Sequence, residues 1–311
     1  MSPLLTVVPV PGHGAEDVVV DDEGWVYTGT DDGVVHRVRP DGRRIDRVGH
    51  TGGRPLGLEL LPDGRLLVCD ARRGLLALDP GSGDLEELTA LVDGRPMLFC
   101  NNAAVHTSGD IWFSDSSLVH SIDRWKADLI ENTASGRLLL RRVGGDVRVV
   151  VGGLRFANGV ALAADESYVA VAETAGRTVV RHWLDGPRAG ATDHLVTDLP
   201  GYPDNIARGS DGLVWVTIAS PRDPVLERLM RAPMPVRRLA SRLPQALQPS
   251  VRRTVRVMAF DDDGRTVHDC SVEGSGYHLV TGVREHAGRV WLGSLDEPAI
   301  AFFDLPGRSS G

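Results

Sequence analysis

Asp211-Gly212-Leu213-Val214-Trp215-Val216 is a turn signal running directly into an apolar strand, and the chain repeats that pattern. It occurs earlier as Asp22-Glu23-Gly24-Trp25-Val26-Tyr27, Pro62-Asp63-Gly64-Arg65-Leu66-Leu67-Val68 and Ser108-Gly109-Asp110-Ile111-Trp112-Phe113. Asp165-Glu166-Ser167-Tyr168-Val169-Ala170-Val171 and His286-Ala287-Gly288-Arg289-Val290-Trp291-Leu292 bring the number of copies to six. Most copies are followed by a second, glycine-led strand, such as Gly33-Val34-Val35-His36-Arg37-Val38, Gly74-Leu75-Leu76-Ala77-Leu78 or Gly176-Arg177-Thr178-Val179-Val180. A repeat of roughly forty residues with several short strands is the signature of a propeller. The expected fold is all-β: one six-bladed β-propeller domain over residues 1–311, with a helical insertion in blade five. A β-sandwich would leave the six matching copies unexplained.

Two segments break the rhythm. Leu118 to Thr133 reads as a loop or short helix. Ser220 to Arg253 contains Leu226-Glu227-Arg228-Leu229-Met230-Arg231 and Val236-Arg237-Arg238-Leu239-Ala240, a basic amphipathic pattern interrupted by prolines. That insertion is expected to pack on the blades or to form a lid over a central pocket. A membrane-surface contact is the less favoured reading.

Composition narrows the function. A net charge of −8 argues against a nucleic-acid partner, and 42% apolar residues suffice for a large core. Cys69, Cys100 and Cys270 form no metal-ligand spacing, which suits a reducing compartment. No signal peptide or membrane-length apolar run is read. The expectation is a cytoplasmic protein acting on a small molecule, with no transmembrane segment; its oligomeric state is left open.

Four polar stretches precede or open apolar runs: Glu16-Asp17-Val18, Asn101-Asn102-Ala103, Phe156-Ala157-Asn158-Gly159-Val160 and Gly201-Tyr202-Pro203-Asp204-Asn205-Ile206. Each alone could be an Asx turn. Recurring with the blades, they point to a common centre, because the first strand of a propeller blade lines the axis. Glu16, Asn101, Asn158 and Asp204 would then offer two carboxylate and two amide oxygens. Hard oxygen donors with water suit Ca²⁺, though another divalent cation is admitted; Mg²⁺ demands tighter octahedral geometry, and no His or Cys is there for Zn²⁺.

On these motifs, together with Gly53-Arg54-Pro55-Leu56-Gly57-Leu58, Trp112-Phe113-Ser114-Asp115-Ser116-Ser117 and Glu285-His286-Ala287-Gly288-Arg289-Val290-Trp291, the chain resembles a known superfamily. It is that of the strictosidine synthase-like and gluconolactonase-type calcium-dependent lactonases and phosphotriesterases, and the resemblance is nearest to the adipocyte plasma membrane-associated protein-like branch. It implies that Glu16, Asn101, Asn158 and Asp204 bind calcium, with Asp204 also nucleophile or general base. Three positions depart from the pattern. Asn102 stands where many members carry Asp, Leu56 and Asp70 hold the places of a paraoxonase-type histidine pair, and Thr281 holds that of the glutamate of the alkaloid synthases.

The expected activity is calcium-dependent hydrolysis of a lactone, aryl ester or related ester. A biosynthetic condensation or cyclisation, or a binding propeller with structural calcium, are the alternatives, and a Pictet-Spengler reaction is disfavoured by Thr281. Asp70, read as ending an inner strand, and His278 are further catalytic candidates; Asn102 and Asn205 are candidates for substrate binding. Asp70 also reads as a blade-closing turn carboxylate and His278 as a structural histidine.

Overall fold

The six repeats build six four-stranded antiparallel sheets, each meandering from an inner strand outwards. The result is a six-bladed β-propeller. The computed structural model describes residues 3–244, 247–272 and 274–306; the ends of the 1–311 span, and Gln245 and Ala246 of the 220–253 segment, lie outside the described residues.

The innermost strands are Val19–Val20, Pro55–Leu60, Cys100–Val105, Ala157–Leu162, Gly201–Arg208 and Val280–His286. The turn-plus-strand motif that repeats in the sequence is therefore the second strand of each blade, and its glycine-led successor the third. Asp70 accordingly ends a second strand, Leu66–Asp70, and not an inner one. The reason is burial. The second strands of blades two, three and four are covered on both faces and read as continuous apolar runs, whereas the inner strands are interrupted by the polar residues of the axis.

The ring closes through the amino-terminal strand. Thr6–Pro9 pairs antiparallel with Ala299–Phe302 and becomes the outer strand of the sixth blade. Apolar faces of adjacent blades pack together, as where Ala172 and Val179 of blade four meet Ile206 and Val216 of blade five.

Among the described residues, three short α-helices sit over one cavity. α1 (Trp125–Glu131) follows the second strand of blade three. α2 (Pro224–Met230) and α3 (Met234–Ala240) lie between Val214–Pro221 and Val255–Phe260, the second and third strands of blade five. Asp223 caps α2 by accepting from the backbone N–H of Val225 (2.7 Å) and Leu226 (3.2 Å), with Pro224 at the first helical position. Pro233 and Pro235 confine α3 to a separate turn pair. Ser241 donates to Glu131 at 2.6 Å and Arg237 donates to the Glu131 backbone carbonyl, so α3 is tied to α1. Among the described residues no helix is long and apolar enough to cross a membrane.

Candidate metal centre and its cavity

In blades two to six the inner strand carries one extra residue relative to its partner. Pairing slips between Pro55 and Leu58, Cys100 and Ala103, Ala157 and Val160, Pro203 and Ile206, and Val280 and Val283. A bulge of this kind re-aims side chains. The residue pairs in the five bulges are Leu56-Gly57, Asn101-Asn102, Asn158-Gly159, Asp204-Asn205 and Thr281-Gly282, and Glu16-Asp17 precedes the short inner strand of blade one.

The first residue of every pair faces one cavity. Glu16, Leu56, Asn101, Asn158, Asp204 and Thr281 all line it, and it measures about 860 Å³ to its open mouth. The second residues alternate around the axis: Asp17, Asn102 and Asn205 in odd blades, glycine in even ones. The glycines are a steric requirement. A Cβ on Gly159 would lie 2.0 Å from the backbone nitrogen of Ile206, and one on Gly282 would lie 2.6 Å from the Cα of Asp17.

The four expected ligands are therefore brought together around one cavity. Asn101 donates its amide N–H to Ser116 Oγ at 2.9 Å, and Asn158 donates to Thr174 Oγ1 at 3.2 Å. Asn205 donates to Glu16 Oε1 at 3.2 Å. Each nitrogen is thus spoken for, which turns the oxygens inward. Asn101 Oδ1, Asn158 Oδ1 and Glu16 Oε2 are buried without a partner among the described residues, as is the adjacent Asn205 Oδ1; such a concentration of orphaned acceptors calls for a positive ligand. Among those residues no cluster of three or more His, Cys, Asp or Glu stands at metal-binding distance. The set here has two carboxylates and two amides.

The electrostatics agree with the geometry. Burial, then repulsion from Asp17 and Asp204, holds the Glu16 carboxyl well above its ordinary range. Burial pushes Asp17 up to about 6 and Asp204 up to about 7, in the second case against the opposing pull of Asn158. Three carboxyls raised together by burial in one small volume, despite Arg54 near Glu16 and Arg284 near Asp17, mark a place suited to a bound cation. Oxygen donors of mixed charge and neutral amides fit Ca²⁺.

Above this floor the cavity is apolar. Phe99, Phe156 and Tyr202 from the blades meet Trp125, Leu129 and Leu226 from the helices. Phe156 (φ 66°) and Leu279 (φ 47°), both in the left-handed region, line it as well. That backbone is strained for large side chains, and such strain clusters at functional sites.

Residues 18–225 match the family described as SMP-30/Gluconolactonase/LRE-like region. The chain belongs to this family. Among curated relatives, it is 34% identical over 261 residues to Protein STRICTOSIDINE SYNTHASE-LIKE 13 of Arabidopsis thaliana, covering 82% of this chain and 62% of that protein. It is 33% identical over 341 residues to the adipocyte plasma membrane-associated protein of Gallus gallus, covering 97% of this chain and 81% of the relative. Among solved structures, a gluconolactonase from Xanthomonas campestris superposes with TM-score 0.70 at 16% identity, over 98% of this chain and 90% of that one. A calcium-binding regucalcin from Agrobacterium tumefaciens superposes with TM-score 0.66 at 15% identity, over 96% and 92%. The resemblance carried by the motifs is thereby upheld.

In this SMP-30/gluconolactonase-type propeller several candidate residues stand away from the cavity. Asp70 Oδ1 accepts from the backbone N–H of Arg54, Arg72 and Arg73 at 2.9–3.1 Å. Asp115 and Glu173 accept in the same way from Phe99 and Arg155 in the next two blades. Asp70 is one member of a blade-closing series and does not line the cavity. His278 lies between Asp296 (Nε2 to Oδ2, 3.1 Å) and Glu297, behind the wall made by Leu279 and Leu295. Asn102 sits one layer below the floor, donating to Asp17 at 3.2 Å and accepting from Val160 N–H at 2.9 Å. Asn205, buried beside the floor, donates to the cavity-lining Glu16 and does not itself line the cavity. Neither amide reaches the cavity, so both support the floor.

Asp17, adjacent to an expected ligand in the Glu16-Asp17-Val18 stretch, is a further residue of this centre. It is buried and accepts from Leu58 N–H at 3.0 Å as well as from Asn102. The alternation of Asx with glycine after the first bulge residue was the available signal. The cavity-lining residues of α1 carried no signal, because nothing in Leu118–Thr133 says where a helix will lean.

Proposed function

We propose that this propeller is a calcium-dependent hydrolase of lactones, aryl esters or related esters with an apolar body. The observation that carries the reading is the trio of unpartnered buried oxygens, Glu16 Oε2, Asn101 Oδ1 and Asn158 Oδ1, beside Asp204 at the floor of an apolar cavity. Glu16, Asn101, Asn158 and Asp204 would hold the ion. When bound, it supplies a Lewis acid for a carbonyl oxygen.

The chain's own part follows from exposure. Glu16, Asn101 and Asn158 are 2%, 3% and 1% exposed, while Asp204 is only part-buried. Asp204 is thus the carboxylate a substrate can touch, and its Oδ takes the proton of the attacking water or attacks the carbonyl itself. Phe99, Phe156 and Tyr202 hold the apolar body of the substrate and exclude water. The roof of α1, α2 and α3, with Pro249–Val251 at its edge, acts as the lid, and the whole chain works as one unit. With Cys69, Cys100 and Cys270 all free, a reducing, cytoplasmic setting suits it. Thr281, which donates to the Glu16 backbone carbonyl at 2.8 Å, offers no acid at its position, and this weighs against amine–aldehyde condensation.

The test is hydrolysis of phenyl acetate and a panel of small lactones, with Ca²⁺ and after chelation. Wild type should turn over only with Ca²⁺, and Asp204→Asn should lose about 10²-fold or more in kcat, the contribution of a general base. Absent turnover, with Ca²⁺ still raising Tm, would overturn the hydrolase reading and leave the ion a structural role.

A further inference from the structure

Lys126 is the only lysine among 311 residues, and its side chain lines the cavity from the roof. Its ammonium stands 5.4 Å from the ring centroid of Trp125 and has no ion-pair partner among the described residues. The neighbouring carboxylates are already engaged. Asp123 pairs with Arg72 at 3.0 Å, Asp128 accepts from Thr133 at 2.8 Å, and Glu131 accepts from Ser241. Asp223 caps α2, and Glu227 pairs with Arg177 at 3.2 Å. A half-buried cation over aromatic and aliphatic walls, with the acids of the surrounding helices taken and Glu16 and Asp204 at the floor assigned to the metal, is matched to a negative charge brought by a ligand.

The surroundings reinforce this. Residues 220–253, which supply Asp223, Leu226 and Val251 to the cavity, carry eight arginines against two acids, in a chain of net charge −8. That local field draws anions toward the mouth. A single point charge at the roof balances a monoanion; among the described residues Lys126 is the one basic side chain lining the cavity, and a phosphate dianion there would call for a second.

We infer that Lys126 anchors a carboxylate of the substrate, so that the cavity takes amphipathic acids whose carboxylate meets the roof while the ester or lactone group reaches the floor. The placement of the scissile group rests on the hydrolase reading; the carboxylate anchor does not.

Two measurements keep these apart. In the first, the 311-residue protein is acetylated with an amine-selective reagent, and the peptide bearing Lys126 is quantified by mass spectrometry. 4-Phenylbutyrate should slow acetylation of Lys126 at least about fivefold more than 4-phenylbutanol, its neutral counterpart. Equal protection, or none, overturns the anchor whether or not any ester is hydrolysed.

The second compares kcat/KM for 4-acetoxyphenylacetate and for neutral 4-methylphenyl acetate. Lys126→Met should lower the charged-to-neutral ratio about tenfold, the low end for one charge-assisted contact, and Lys126→Arg should restore most of it. A ratio unmoved by Lys126→Met overturns the inference while leaving the hydrolase reading intact.

Discussion

At the scale of single residues, the floor is a cluster of raised carboxyls, and the sign of its pH response follows. Asp204 ionises near 3.8 when exposed and about 7 in the metal-free fold; Glu16 and Asp17 shift in the same direction. Between those values the folded state holds more protons than the unfolded one, so stability is present at low pH and is lost as pH rises toward 7. Chelated protein should therefore show a higher Tm at pH 5.5 than at pH 7.5. Calcium requires the ionised carboxylates, so its stabilising effect should grow over the same interval and reverse the trend. Thermal unfolding at the two pH values, with chelator and with Ca²⁺, checks this; a chelated protein more stable at pH 7.5 would contradict it.

At the scale of elements, the bulged inner strands set the geometry of the centre. Gly159 lets the inner strand of blade five pass against that of blade four, and a methyl group there has no room beside the Ile206 nitrogen. Gly159→Ala should cost about 3 kcal/mol or more, as overpacking of a rigid interior does. It should also weaken calcium binding, since Asn158 and Asp204 flank the contact. Urea denaturation and calcium titration of the variant measure both, and wild-type values would show that the strands can separate freely. The helices act at the same scale. α1 and α3 are joined through Glu131, Ser241 and Arg237, which is why two segments distant in sequence form one apolar roof.

At the scale of the whole molecule, the ring depends on a strand from the opposite end of the chain. Thr6–Pro9 covers the edge of Ala299–Asp304 and buries Val8 and Val10. Without it the sixth blade presents an open apolar edge, which invites aggregation. A chain beginning at Pro11 should melt about 8 °C lower, the shift expected for roughly 5 kcal/mol in a domain of this size, and scanning calorimetry would read it. An unchanged Tm would mean that the closing strand carries little of the stability.

The repeat of turn signal and apolar strand determined the propeller and its blade number, because a strand buried on both faces must be written as an apolar run. The four polar stretches likewise determined which residues meet at the axis, since each sits at the same place in its blade. What the sequence left open was direction. Asn101 and Asn102 are adjacent and chemically alike, yet one faces the cavity and the other the layer beneath it. A bulge, set by pairing with Ile111–Asp115, decides which is which. Asp70 reads as a catalytic candidate at the end of an inner strand and His278 as one facing the pocket from the sixth blade; tertiary contacts bind one to backbone N–H groups and the other to Asp296 and Glu297. The placement of Lys126 over the cavity belongs only to the folded chain. It depends on how α1 leans on α2 and α3, and no local pattern in the sequence encodes that packing.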